Sequence, residues 1–184
     1  ICLQWIIPGT TLSAQREQAQ QVDQVFHSLF LAGGLTLSQV ASLTGLEPHT
    51  IQNWVKRGFL PPPQGKRYSM EQLCRILNMH ILKGNMNLDQ IVKLMQYLNG
   101  NLADESDDQV DDTQLYFCFV RLAARVGDVT GADAWQQALE KVTEHYRETV
   151  PGVRKKLIAV LEIMLTVWCA NQLKARAESL LAQL

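Results

Sequence analysis

LTLSQVASLTGLEPHTIQNWVKRGFLPPPQGKRYSMEQLCRI, residues 35–76, is the stretch whose reading decides the fold. It describes two short helices joined by a glycine turn, then a proline-stiffened basic loop, then a further helix. Thr36 is placed to cap a helix that has Gln39 three residues on, Leu37, Val40 and Ala41 line one face, and Gly45 supplies the left-handed residue that ends it. Pro48 opens the second helix, where a first turn has no use for the missing N–H, and Ile51, Trp54 and Val55 fall at i, i+3 and i+4 for burial. The opposite face is then polar and carries His49, Thr50, Gln52, Asn53, Lys56 and Arg57. Amide, hydroxyl and cationic side chains of this kind read base edges and hold phosphates, so residues 48–57 are predicted as a recognition helix.

Outward from this unit the pattern stays helical. Phe59, Leu60 and the prolines at 61–63 make a stiff exit, and Gln64 to Tyr68 form a tight basic turn with room for a minimal two-stranded wing. Ser69 with Gln72 repeats the capping-box spacing for a helix ending near Gly84, and another begins at Asn87 and closes at Asn99 and Gly100. Toward the N-terminus, Pro8 and Gly9 break an apolar arm, and Ser13 is expected to cap a helix to about Leu31 with Val22, Val25, Phe26, Leu29 and Phe30 as its apolar stripe.

Charge is uneven along the chain. The formal net charge is -1, but Asp104, Glu105, Asp107, Asp108, Asp111 and Asp112 sit in one run and hide a basic head. Lys56, Arg57, Lys66, Arg67, Arg75 and Lys83 are opposed between them only by Glu71, and phosphate binding depends on local charge. The acidic run reads as a solvated linker. Beyond it, Leu115 to Ala123 are apolar nearly all round, predicting a buried helix capped by Thr113. Asp133 is expected to cap the next, with Trp135, Leu139, Val142 and Tyr146 on one face. Pro151 and Gly152 mark the turn before a last helix to about Leu181, where Leu173, Ala177, Leu180 and Leu184 make a narrow seam that favours helix pairing. The domains expected are an N-terminal arm and helix (1–34), the basic head (35–100), an acidic linker (101–112) and a C-terminal helical bundle (113–184).

With 47% hydrophobic residues the chain can build a real core. Cys2, Cys74, Cys118 and Cys169 are far apart, so neither a disulfide framework nor a zinc knuckle is signalled, and a reducing cytoplasm fits best. His27, His80 and His145 have no partner at metal spacing, and no metal or cofactor is expected. Leu157 to Cys169, the longest apolar run, is interrupted by Glu162 and too short for a bilayer, and the opening ICLQWII lacks a charged n-region, so neither a membrane span nor a signal peptide is expected. Ser/His/Asp order, a phosphate-cradling glycine loop and H-E-x-x-H are all absent, which argues against an enzyme. Cys118, Trp135, Tyr146 and Trp168 form a candidate pocket for a small-molecule effector between C-terminal helices.

From Leu35 to about Leu98 these residues resemble the MerR-like helix-turn-helix family, and more closely a bacterial domain-of-unknown-function family built on such a head. TLSQVASLTGLEPHTI, KRGFLPPP, KRYSMEQLCRI and MNLDQIVKLM carry the resemblance in order and spacing. It implies a mainly α fold with a winged helix-turn-helix head, and a transcription regulator that binds double-stranded DNA as a dimer. Helix two would enter the major groove, the wing would lie on the backbone, and the C-terminal part would dimerise or sense an effector. Gln52 and Asn53 stand where such proteins carry Arg and Tyr, Tyr68 matches the wing tyrosine, and Lys66 replaces the wing arginine. Lysine neutralises phosphate without forking onto it.

The reading is therefore a homodimeric, sequence-specific DNA-binding regulator. Lys56, Arg57, Lys66 and Arg67 would hold phosphates, His49, Thr50, Gln52 and Asn53 would choose bases, and Tyr68 would support the wing contact. The alternative is a protein-interaction adaptor that uses the C-terminal bundle and keeps the head as a scaffold.

Overall fold

The computed structural model describes residues 5–102, 106, 108–127 and 131–184. Cys2, Asp104, Glu105 and Asp107 lie outside them. The protein is mainly helical, with eight α-helices and four two-residue strands among the described residues.

The chain opens with a small hairpin in which β1 (Trp5–Ile6) pairs antiparallel with β2 (Ser13–Ala14). Ser13 therefore lies in a strand and does not cap a helix. The hairpin wins because its turn closes locally: Thr10 Oγ1 donates to the Ile7 carbonyl at 3.0 Å and accepts from the Leu12 N–H at 3.0 Å. A 3₁₀ segment over Arg16–Gln21 leads into α1 (Val22–Leu29). Of the expected stripe only Val22 and Phe26 are fully buried, while Val25 and Leu29 face solvent. The Phe26 ring sits 5.4 Å from both Tyr116 and Phe117, so this helix packs on the C-terminal half.

α2 (Leu37–Thr44) and α3 (Pro48–Lys56) follow β3 (Leu35–Thr36). β4 (Arg67–Tyr68) pairs with β3, Leu35 opposite Tyr68, so the basic turn finds its partner strand ahead of α2 and within the loop forms only the Gln64–Arg67 bridge. α4 (Met70–Lys83) and α5 (Leu88–Asn99) carry capping boxes at Ser69/Gln72 and Asn87/Gln90, as the sequence spacing predicts. α6 (Asp112–Val126), α7 (Ala132–Val142) and α8 (Val153–Leu181) complete the fold. The cap of α6 is Asp111 and that of α7 is Gly131, each two residues ahead of the expected Thr113 and Asp133. α7 stops at Val142, leaving Tyr146 in the following turn.

The described part of the acidic run is not a solvated linker. Arg75, on α4 and 1% exposed, holds Asp108 at 2.9 Å and Asp112 at 2.6 Å. Val110 is buried, and its N–H and carbonyl are both bonded by the Asn99 side chain. Buried charge persists only when paired, and here the partner comes from α4. α4 and α6, on either side of this segment, pack extensively on each other, and the hydrophobic core of the described residues runs from Trp5 to Leu165.

The first half of α8 is buried through Val153, Leu157, Val160, Leu161, Met164 and Leu165, while Leu173, Leu180, Leu181 and Leu184 are exposed. α8 is 29 residues long and meets the length and composition of a membrane-crossing helix, with 28% of that window buried in protein.

Candidate functional site

The geometry of α3 follows from its two ends. Thr36 accepts from the Gln39 N–H and the Gln39 side chain accepts from the Thr36 N–H, fixing the start of α2. Gly45 then turns the chain at φ 72°. Leu46 is buried after it, and Pro48 opens α3, so Ile51 and Trp54 pack inward with Val55 half-buried. His49, Gln52, Asn53, Lys56 and Arg57 are left exposed and Thr50 half-buried. The Arg57 guanidinium lies 4.8 Å from the centre of the Phe59 ring, which steadies it without removing its charge.

The basic turn is a tight reversal. Gly65 and Lys66 both have positive φ, 55° and 63°, and the Arg67 N–H donates to the Gln64 carbonyl at 2.9 Å. Lys66 is exposed at its tip. Arg67 is exposed but partly committed, since Nη1 donates to the Gly34 carbonyl at 2.8 Å. Gly34 must be glycine, because a Cβ there would collide with the Tyr68 carbonyl oxygen. Gln72 Nε2 donates to the carbonyls of Pro61 and Pro62, which fastens the proline exit to α4. Tyr68 follows Arg67 in β4. It is 3% exposed, part of the core, and burial pushes its hydroxyl above the usual phenol range.

One part of this surface was missed in the sequence. His49, Thr50, Asn53 and Trp54 of α3 share a groove of about 470 Å³ with Lys83, Met86, Leu88 and Ile91 from the α4–α5 corner. Lys83 and Asn53 thus meet one groove although 30 residues separate them in sequence. The charge count included Lys83, but nothing local links it to α3.

The candidate effector pocket divides. Cys118 and Tyr146 line a cavity of about 620 Å³ between the 3₁₀ segment, α6 and the end of α7. Trp135 and Trp168 do not line it. Trp168 packs edge-on against Phe119, ring centres 6.3 Å apart, and Trp135 is half-buried against the core. The Tyr146 hydroxyl donates to the Gln109 carbonyl at 3.1 Å. Burial pushes the Cys118 thiol up despite Arg121 beside it, so it behaves as a small apolar residue and not as a thiolate.

Residues 19–119 match the family described as Domain of unknown function (DUF1836). The chain belongs to this family. The DUF1836 match starts within the 3₁₀ segment, takes in α3 with its groove and the basic turn, and runs through the Arg75–Asp112 pair into α6. It also crosses 101–112, as the continuous core does. The chain is similar to "Uncharacterized protein YkrK" of Bacillus subtilis (strain 168), 32% identical over 84 residues that cover 44% of this chain and 36% of that protein. The matched part is therefore little more than a third of that relative's length. No solved structure matches the chain.

Proposed function

We propose that this DUF1836 member is a sequence-specific DNA-binding transcription regulator with a winged helix-turn-helix head of the MerR-like kind, acting in the cytoplasm. The observation that carries the reading is the outer face of α3. His49, Gln52, Asn53, Lys56 and Arg57 all face solvent there, and none of them forms an ion pair among the described residues. Uncovered amides and cations leave this face open to base edges and phosphates. Lys66 and Arg67 are also exposed, on a turn whose strand pairs directly with the entry to α2.

In this reading α3 lies in the major groove, where Gln52 and Asn53 offer amides that match adenine edges, and Lys56, Arg57 and Lys66 neutralise phosphates. Lys83 joins them from the α4–α5 corner. One short head has little affinity alone, so two chains joined through the exposed seam of α8 would read an inverted repeat. Genomic fragments selected by the purified protein and then titrated by fluorescence anisotropy test this. A shared inverted-repeat motif, bound at least tenfold more tightly than random duplex, is expected. Failure to bind any duplex even at low salt overturns it.

A further inference from the structure

The cavity of about 620 Å³ beside Cys118 has a composition that the DNA-binding reading does not use. On α6, Gln114, Cys118, Arg121 and Arg125 fall at i, i+4, i+7 and i+11, one stripe facing the cavity. Across it stands Arg16 from the 3₁₀ segment, and Lys141 comes from the last turn of α7. Four fixed cations therefore converge, in a chain whose net charge is -1. The lining holds only two carboxylates, Glu17 and Glu144, and Glu144 is tied to Lys141 at 2.6 Å.

The three arginines are the decisive part. Among the described residues none of Arg16, Arg121 and Arg125 forms an ion pair. Arg121 Nη2 instead reaches the Cys118 sulfur at 3.3 Å, a weak acceptor. The Arg16 guanidinium lies so close to the Gly127 backbone that a Cβ there would meet Nη1 at 2.6 Å. The walls behind these cations are apolar, with Ala19, Ala124 and Val142, and low-polarity walls strengthen attraction for an anion. A guanidinium fork suits carboxylate or phosphate, and the volume is that of a small-metabolite site.

We infer that this cavity binds a small organic anion carrying two or more phosphate or carboxylate charges, held by Arg16, Arg121 and Arg125. The inference names the ligand class for an effector of the proposed regulator, but binding is read on the protein alone, without DNA, so each reading can fail separately.

Isothermal titration calorimetry of the full chain with pyrophosphate and with citrate, at about 0.15 M salt, tests it. At least one probe is expected to bind with a submillimolar Kd, and which one identifies phosphate or carboxylate as the preferred group. Arg121→Gln and Arg125→Gln are each expected to weaken that binding at least tenfold, while Lys93→Gln, exposed on α5, leaves it unchanged. Arg125 is exposed, so its variant keeps the test valid if Arg121→Gln fails to fold. No heat with either probe overturns the inference, as does an equal loss in all three variants, which would mean unspecific charge attraction.

Discussion

Arg75 Nε lies 2.6 Å from Asp112 Oδ2, with both side chains out of contact with water. The pair joins α4 to the first residue of α6, and the same guanidinium also holds Asp108 and the Leu102 carbonyl. Asn78 adds a bond from its amide to the Asp112 carbonyl. Removing one partner of such a network leaves uncompensated buried charge, at a cost of about 3–5 kcal/mol. The network is thus what makes an acidic segment compatible with a continuous core.

Its pH dependence has a defined sign. Burial pushes the Asp112 carboxyl up to about 6, from 3.8, even with Arg75 beside it. The native state therefore binds this proton more tightly than the unfolded chain does. The stability contributed by Asp112 declines as pH rises from about 4 to about 6 and is level above that. Urea denaturation of the parent protein and of Asp112→Asn across this range should give a difference in stability that falls with pH. A difference constant from pH 4 to 7 contradicts the assignment.

Lys66 separates charge from conformation. It is the only non-glycine residue with positive φ among the described residues, so Lys66→Gly suits the backbone and keeps the turn. Stability should stay within about 1 kcal/mol in thermal denaturation, while affinity for all DNA sequences falls and the salt slope drops by about one unit. Gln52→Ala or Asn53→Ala should instead change which sequence is preferred, by about 1–3 kcal/mol at the affected base pair. Unaltered binding by all of these variants counts against α3 and the basic turn as the DNA surface.

Gly84 reports on the junction between α8 and the α4–α5 corner. Its backbone is helical, so alanine would ordinarily be tolerated there, but a Cβ would run into the Asn171 side chain. Gly84→Ala should lower stability by about 1–3 kcal/mol, as overpacking does. Asn171→Ala alone costs its bonds to Asn85 and the Ile81 carbonyl. The double variant should be more stable than the sum of the two losses predicts, which a double-mutant cycle by urea denaturation measures.

What was legible in the sequence was what is decided within one helical turn. Thr36 with Gln39, Ser69 with Gln72 and the Gly45 turn each depend on residues three or four apart, and their spacing specifies them. Of the candidate surface, the outward set on α3 was legible because Ile51 and Trp54 fix which side is inside. The acidic run was misread because composition shows charge but not its partner, and Arg75 is 33 and 37 residues away from Asp108 and Asp112. Ser13 was misread for a related reason, since the strand that pairs with it lies across the Pro8–Gly9 turn. Tyr68, at the wing position of the family resemblance, has its ring in the core. Trp135 and Trp168 are aromatic residues of the C-terminal helices, but neither lines the cavity, and Trp168 packs on Phe119 instead.

Asn171 stands just before α8 leaves the body of the protein. Its side chain clasps Asn85 and the Ile81 carbonyl at the corner whose Lys83 and Met86 border α3. The exposed stretch that begins at Leu173 therefore starts from an anchor on that corner. Two bonds from one amide side chain thus tie the position of the exposed stretch to the corner that borders α3.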